Sequence, residues 1–219
     1  MITFEQIKNN EDIKTYITKA DASLKALGYT EHSFAHVGKV SADAAYILDT
    51  LGFDERTVEL SRIAGYLHDI GNLVNRVDHS QSGAVMAFRI LDKLGMSADE
   101  IATVVTAIGN HDEGTGVPVN AVAAALIIAD KCDVRRTRVR NSHPESFDIH
   151  DRVNYSVEES ALKVDKENKQ ITLELTIDSE ISAVMDYFQI FLGRMQMAKS
   201  AAKSLELNFS LVVNTQRLL

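Results

Sequence analysis

The sequence predicts a mainly α-helical fold: a helical bundle over residues 1–155 and a small β-β-α-β appendage over residues 156–219. Three observations carry this. Only two prolines, Pro118 and Pro144, interrupt the 219 residues, which leaves room for long helices. Up to about residue 155, apolar residues recur at three- and four-residue spacing, the period of one helical face. After that the texture alternates. In "ALKVDKENKQITLELTI", Leu162 and Val164, then Ile171, Leu173 and Leu175, flank a polar Lys-Glu-Asn-Lys turn, the pattern of a β-hairpin.

Residues 32–52 place Val37, Val40, Ala44, Ile47, Leu48 and Leu51 on one stripe, with Gly52 as the stop. Residues 55–69 repeat the pattern through Val58, Ile63, Ala64 and Leu67, and end at Gly71 and Asn72. The next helix begins at Ser80 and runs through Ala84, Phe88 and Leu91 to Gly95. Ser97 with Glu100 three residues later reads as a capping box for a helix carrying Ile101, Val104, Val105 and Ile108. The stretch "VNAVAAALIIADKCDV" is apolar almost all round and therefore central. In the appendage, a helix over roughly residues 180–204 buries Val184, Tyr187, Phe188, Phe191, Leu192 and Met195, and "NFSLVVN" closes the chain as a strand.

Apolar (45%) and charged (25%) content are those of a globular protein. No apolar run reaches the roughly 18 residues that a membrane span requires, and "MITFEQIKNN" lacks the basic-then-apolar order of a signal peptide. With the single cysteine, Cys132, this leads us to expect a cytoplasmic protein without disulfides. A net charge of −8 argues against general nucleic-acid binding through phosphate contacts. One segment departs from that balance: "RRTRVR" puts four arginines into residues 135–140, either an anion-attracting patch or a solvated helix end balancing nearby carboxylates.

Several polar residues fall on the apolar stripes. His36 lies on the face of Val40 and Ala44, and Asp130 shares its helix face with Ala123 and Leu126. His68 and Asp69 stand where their helix unwinds before Gly71, which lets two adjacent side chains converge. His111 follows Ile108 just past a helix end, and His79 stands at a helix entry. Singly, each has a plain structural explanation. An inward histidine is ordinarily a hydrogen-bonded core residue, Asp69 would be a cap, and His79 and His111 would be loop histidines. A carboxylate buried without a partner, as Asp130 would be, costs several kcal/mol or takes up a proton. Together, four inward imidazole and carboxylate groups from three helices suit zinc, iron or manganese rather than calcium, which asks for oxygens alone.

The ordered set His36, His68-Asp69 and Asp130 (in "ADKCD") resembles the H…HD…D pattern of the HD-domain metal-dependent phosphohydrolase superfamily, over roughly residues 30–140. "HSQSGA" from His79 and "AIGNHDEGTG" from Ala107 are similar to segments that supply extra histidines in its binuclear members, among them dinucleoside-tetraphosphate hydrolases and cyclic-dinucleotide phosphodiesterases. The resemblance implies a helical HD-type hydrolase domain over residues 1–155 and two divalent transition-metal ions (Mn, Fe, Zn, Co or Ni). His36, His68, Asp69 and Asp130 would hold one; His79 and His111 would hold the second, with Asp69 bridging and Asp112 a weaker candidate. Asp69 and His111 are the candidate catalytic residues. Two departures stand out. Asn72 replaces the lysine of HDxxK, with Arg76 one turn on as a substitute, and "GTGVP" is not the GYP-type motif of cyclic-dinucleotide phosphodiesterases. His32, one turn before His36, could line the mouth of the site, with an exposed helix start as the favoured reading.

The chemistry so implied is hydrolysis of a phosphate ester or anhydride, by a phosphatase or phosphodiesterase, on a nucleotide or other small phosphorylated metabolite, with a metal-activated water as nucleophile. Arg76, Arg135 and Arg136 are the candidate substrate contacts, through bidentate arginine–phosphate pairing. Two other classes fit the same residues: a binuclear-iron oxygenase on the same bundle, and a non-catalytic metal- or nucleotide-binding regulatory module, which Asn72 in place of lysine favours. Expected partners are the small substrate and neither membrane nor general nucleic acid; the exposed face of the appendage could pair with a second copy as a homodimer.

Overall fold

The computed structural model describes all 219 residues. Helices α1 (Phe4–Lys8) and α2 (Glu11–Ala26) open the chain, each with a side-chain cap: Thr3 and Gln6 form a reciprocal capping box, and Asn10 Oδ1 accepts from the backbone N–H groups of Asp12 and Ile13. Helix α3 (Phe34–Leu51) buries His36 beside Val37, Val40, Ala44, Ile47 and Leu48, and stops at Gly52 in the left-handed region. Helix α4 (Glu55–Leu67) packs along α3 so closely that a Cβ on Gly65 would stand 2.7 Å from the Ser41 Cα.

A 3₁₀ turn over Ile70–Leu73 follows, then α5 (His79–Leu94) and α6 (Ala98–Gly109). The turn lies directly on the first turn of α5. A Cβ on Gly71 would collide with the His79 carbonyl oxygen and the Gly83 nitrogen, so only glycine allows this approach. Ser97 is the N-cap of α6 as predicted, but its hydroxyl makes no capping bond and no capping box forms. Glu100 turns instead to Arg56, whose Nε donates to it at 2.6 Å. An ion pair with a neighbouring helix outweighs the local cap here.

Helix α7 (Ala121–Lys131) is buried from Val122 through Lys131 and is the axis of the bundle, with α3, α4 and α6 around it. A short helix that the periodicity did not announce, α8 (Ile149–Ser156), leads into β1 (Val157–Asp165) and β2 (Gln170–Ile177). These pair antiparallel as the expected hairpin, in a register that sets Leu162 opposite Leu173 and Val164 opposite Ile171. Helix α9 (Val184–Ser204) crosses over to β3 (Asn208–Val213), which pairs parallel to β2. It starts later than expected because Asp178 folds the chain into a turn, its carboxylate accepting from Glu180 and its carbonyl from Ile181 and Ser182. A two-residue strand, β4 (Gln216–Arg217), adds to β3 and makes the order β1-β2-β3-β4.

One apolar core runs through both parts. It continues from Ile7, Ile47 and Leu126 in the helices to Leu173, Tyr187 and Leu211 around the sheet, and α9 lies along α7. No helix is long and apolar enough to cross a membrane.

Candidate metal centre

Five segments deliver six buried side chains to one point. His36 sits in the first turn of α3, and Asp130 in the last turn of α7. His68 caps the end of α4, and Asp69 next to it leaves helical geometry (φ −93°, ψ 2°), which swings its carboxylate to the same side. Asp78 takes a positive φ to turn His79 inward as the first residue of α5. His111 stands one residue beyond the Asn110 cap of α6.

The imidazoles share one orientation. Each Nδ1 faces an oxygen that can only accept: Asp133 Oδ2 for His36 at 2.7 Å, the Gly65 carbonyl for His68 at 2.8 Å, the Arg76 carbonyl for His79 at 3.1 Å, and the Ile108 carbonyl for His111 at 2.6 Å. Every Nδ1 therefore carries the proton, and in the neutral rings every Nε2 carries a lone pair directed at the centre. These nitrogens meet in two pairs, His36 with His68 and His79 with His111, each 3.2 Å apart.

Asp69 lies between the pairs. Its Oδ2 is 3.5 Å from His36 Nε2 and 3.4 Å from His68 Nε2; its Oδ1 is 3.3 Å from His79 Nε2 and 3.9 Å from His111 Nε2. Asp130 Oδ1 completes the first group, 3.5 Å from His36 and 3.8 Å from His68. Lone pairs and carboxylate oxygens packed this closely in a buried site repel one another unless positive charge joins them. Burial and Arg138 lower the pKa of His36, yet Asp130, Asp133 and Asp69 overcome both and raise it to about 9. Burial likewise works against the Asp69 carboxylate, but His68, His36 and His79 hold it well below the usual range. Burial, with His68 and Lys131, pushes His111 well below its ordinary value, so this ring stays neutral and free to ligate. The donor set of imidazole nitrogens and carboxylate oxygens, with every Nδ1 fastened by an acceptor, fits divalent transition-metal ions.

The family model for the HD domain matches residues 33–135. This part of the chain is an HD domain. An uncharacterized protein of Methanocaldococcus jannaschii is 24% identical over 200 residues, spanning 81% of this chain and 76% of that protein. A solved structure described as a predicted HD superfamily hydrolase, from an uncultured Thermotogales bacterium, is 26% identical, covers 57% of this chain and 67% of its own, and superposes with a TM-score of 0.45.

Within the HD domain, Asn72 has a visible job. Its Nδ2 donates to both the carbonyl and Oδ1 of Asp69 at 2.9 Å, while its Oδ1 accepts from Arg76 at 3.4 Å. It fastens the carboxylate that lies between the two imidazole pairs. Asp112 stays at the margin, 4.0 Å from His79 Nε2 and partly exposed.

A cavity of about 330 Å³ opens onto Asp69, His79 and Asp130. Arg76 lines it as expected, its guanidinium 3.2 Å from His79 Nε2 and stacked 5.6 Å from the Tyr29 ring centroid. Arg135 and Arg136 do not line it. Arg135 is bound to Asp133 and Glu31, and Arg136 donates to the Tyr155 carbonyl and lies over its ring. The "RRTRVR" run is not a solvated helix end, but it does balance nearby carboxylates: Arg138 is buried against Asp133, where it also lines the cavity, and Arg140 pairs with Asp21. His32 is also not an exposed helix start; it is half-buried, bonded to the Thr30 carbonyl, and lines the cavity.

Four residues of this region escape motif reading. Asp133, fully buried, orients His36; its place three residues after Asp130, on the same side of the helix end, is the signal that could have found it. Lys131, Arg138 and Arg194 line the cavity. Arg194 comes from α9, outside the HD domain, where only its position on the face of Tyr187 and Phe191 hints at an inward direction.

Proposed function

We propose that this chain is a metal-dependent phosphohydrolase acting on a phosphate ester or anhydride of a nucleotide or another small phosphorylated compound. The observation that carries this reading is the split of the Asp69 carboxylate between two imidazole pairs, at the floor of a cavity lined by four fixed cations, Arg76, Lys131, Arg138 and Arg194. His36, His68, Asp130 and one Asp69 oxygen would hold one divalent ion; His79, His111 and the other Asp69 oxygen would hold a second. Bound there, such ions make water nucleophilic near neutral pH and offset charge on phosphoryl oxygens.

The chain's own residues supply the rest. Asn72 donates to Asp69 Oδ1 and so fastens that carboxylate between the two groups. Asp133 and three backbone carbonyls hold the four rings in the ligating tautomer. Arg76, next to His79, is placed to receive a phosphoryl oxygen through its fork of donors. His111 presents its Nε2 as a ligand, with its Nδ1–H held by the Ile108 carbonyl.

The test is elemental analysis of protein purified without chelator, followed by turnover of p-nitrophenyl phosphate and bis-p-nitrophenyl phosphate with manganese or iron. Near two ions per chain with turnover of either ester supports the proposal. Ions without turnover on a broad panel of phosphate esters and anhydrides would leave a binding module. Absence of metal after reconstitution would remove the catalytic reading.

A further inference from the structure

Beside the metal centre, two nearly buried cations share a single carboxylate oxygen. Lys131 Nζ, 2.8 Å from Asp130 Oδ2, lies 3.4 Å from Glu113 Oε1. Arg194 Nε approaches the same Oε1 at 3.3 Å from the opposite element, α9. The exposures are unequal: the Lys131 and Arg194 side chains are 4% and 16% exposed, the Glu113 side chain 47%. All three line the cavity together with Asp130.

A permanent counter-ion for two dehydrated cations would be expected to sit as deep as they do and to satisfy their donors. Glu113 does neither. The Arg194 Nε–H, though close to Oε1, lies outside hydrogen-bonding geometry and is a buried donor without a partner. The rest of the guanidinium is well fixed: Nη2 donates to the Asp130 carbonyl at 3.0 Å, and the group stacks on Phe191 at 5.0 Å. The cations are held in place, while the carboxylate reaches them from the 110–116 loop, beside Gly114, around which the space is open.

We propose that Lys131 and Arg194 form an oxyanion subsite next to the metal centre, and that Glu113 Oε1 occupies it until an oxygen of a phosphorylated ligand displaces it. The subsite rests on the phosphohydrolase reading for its ligand class, a phosphate-type oxyanion. It makes α9, which lies outside the HD domain, part of the ligand-binding surface. Glu113 is an internal competitor there, so removing its charge tightens ligand binding, and removing Arg194 weakens it.

The experiment is calorimetric titration of the full chain with inorganic phosphate, metal-free and with manganese, for wild type, Glu113→Gln, Arg194→Gln and Arg194→Lys. A charge-assisted contact corresponds to roughly a tenfold change in affinity. Glu113→Gln should bind phosphate about tenfold more tightly and Arg194→Gln about tenfold more weakly, with Arg194→Lys in between. Unchanged or weaker binding in Glu113→Gln, with a lowered melting temperature, would make Glu113 a structural ion-pair partner and overturn the proposal. Unchanged binding in a folded Arg194→Gln would do the same. Turnover is scored separately. The expected binding pattern without hydrolysis would leave the subsite standing and remove the phosphohydrolase reading; hydrolysis with phosphate affinity and KM unmoved in both variants would do the reverse.

Discussion

The HD domain and the C-terminal α+β part contribute to the same cavity in opposite ways. The HD domain supplies the candidate ligands: His36, His68, Asp69, His79, His111 and Asp130 are buried polar residues, each close to a helix end or a tight turn. The C-terminal part supplies wall: Phe191 and Arg194 from α9 are ordinary members of an amphipathic helix until α9 is laid along α7. The chemistry is set by close-range geometry inside one part, and access to it by packing between the two. Changes in the first should act on metal and turnover, and changes in the second on stability and ligand affinity.

The sharpest break of that division is Asp69→Ala. It removes an oxygen from both groups, so turnover should fall at least about a thousandfold and elemental analysis should find the ion content reduced at both positions. Loss of only one ion would show that the two groups are independent. Next in size is Leu173→Ala in β2, a fully buried side chain in the core common to both parts. It should cost about 2–5 kcal/mol and lower a single melting transition of the whole chain, with metal content unchanged. Two separate transitions would instead make the parts autonomous.

Asp133→Asn retains the shape but not the charge that fastens His36 Nδ1 and neutralises Arg138. Metal affinity should drop roughly 10–100-fold, read by competition with a chromogenic chelator; an unchanged affinity would reduce Asp133 to a partner of arginines. The smallest effect is expected for Ser97→Ala. A capping serine is typically worth about 1 kcal/mol, but this hydroxyl makes no capping bond. A shift of the denaturation midpoint equivalent to less than about 0.5 kcal/mol is expected, and a full capping loss would contradict the geometry described.

The same contrast explains what could be read beforehand. Helices α3 to α7, the hairpin and the inward placing of His36, His68, Asp69 and Asp130 were legible because hydrophobic period and its violations are local signals: Asp130 inside "ALIIAD" is conspicuous without any neighbour. His79 and His111 were drawn in through the resemblance of their segments, and α1 and α2 were not read at all. The roles of Arg135, Arg136 and Arg138 were not legible. A run of arginines has no period, and which of them turns inward depends on Asp133, Glu31 and Tyr155, distributed over the chain. Glu100 shows the same limit on a small scale: its sequence spacing from Ser97 is that of a cap, but Arg56, far away in sequence, takes it. Helix α8 lay hidden because only eight residues, few of them apolar, follow its Asp148 cap.

The parallel pairing of β2 with β3 has a consequence for the order of events on the ribosome. All six candidate ligands have been synthesised by Asp130, whereas α9, which brings Phe191 and Arg194 to the cavity, follows later, and Asn208–Val213, which pairs with β2, later still. A chain that emerges N-terminus first therefore presents its imidazoles and carboxylates before their roof is fastened. Ion capture can precede closure, and the finished cavity would then be built over an occupied floor rather than loaded through its mouth.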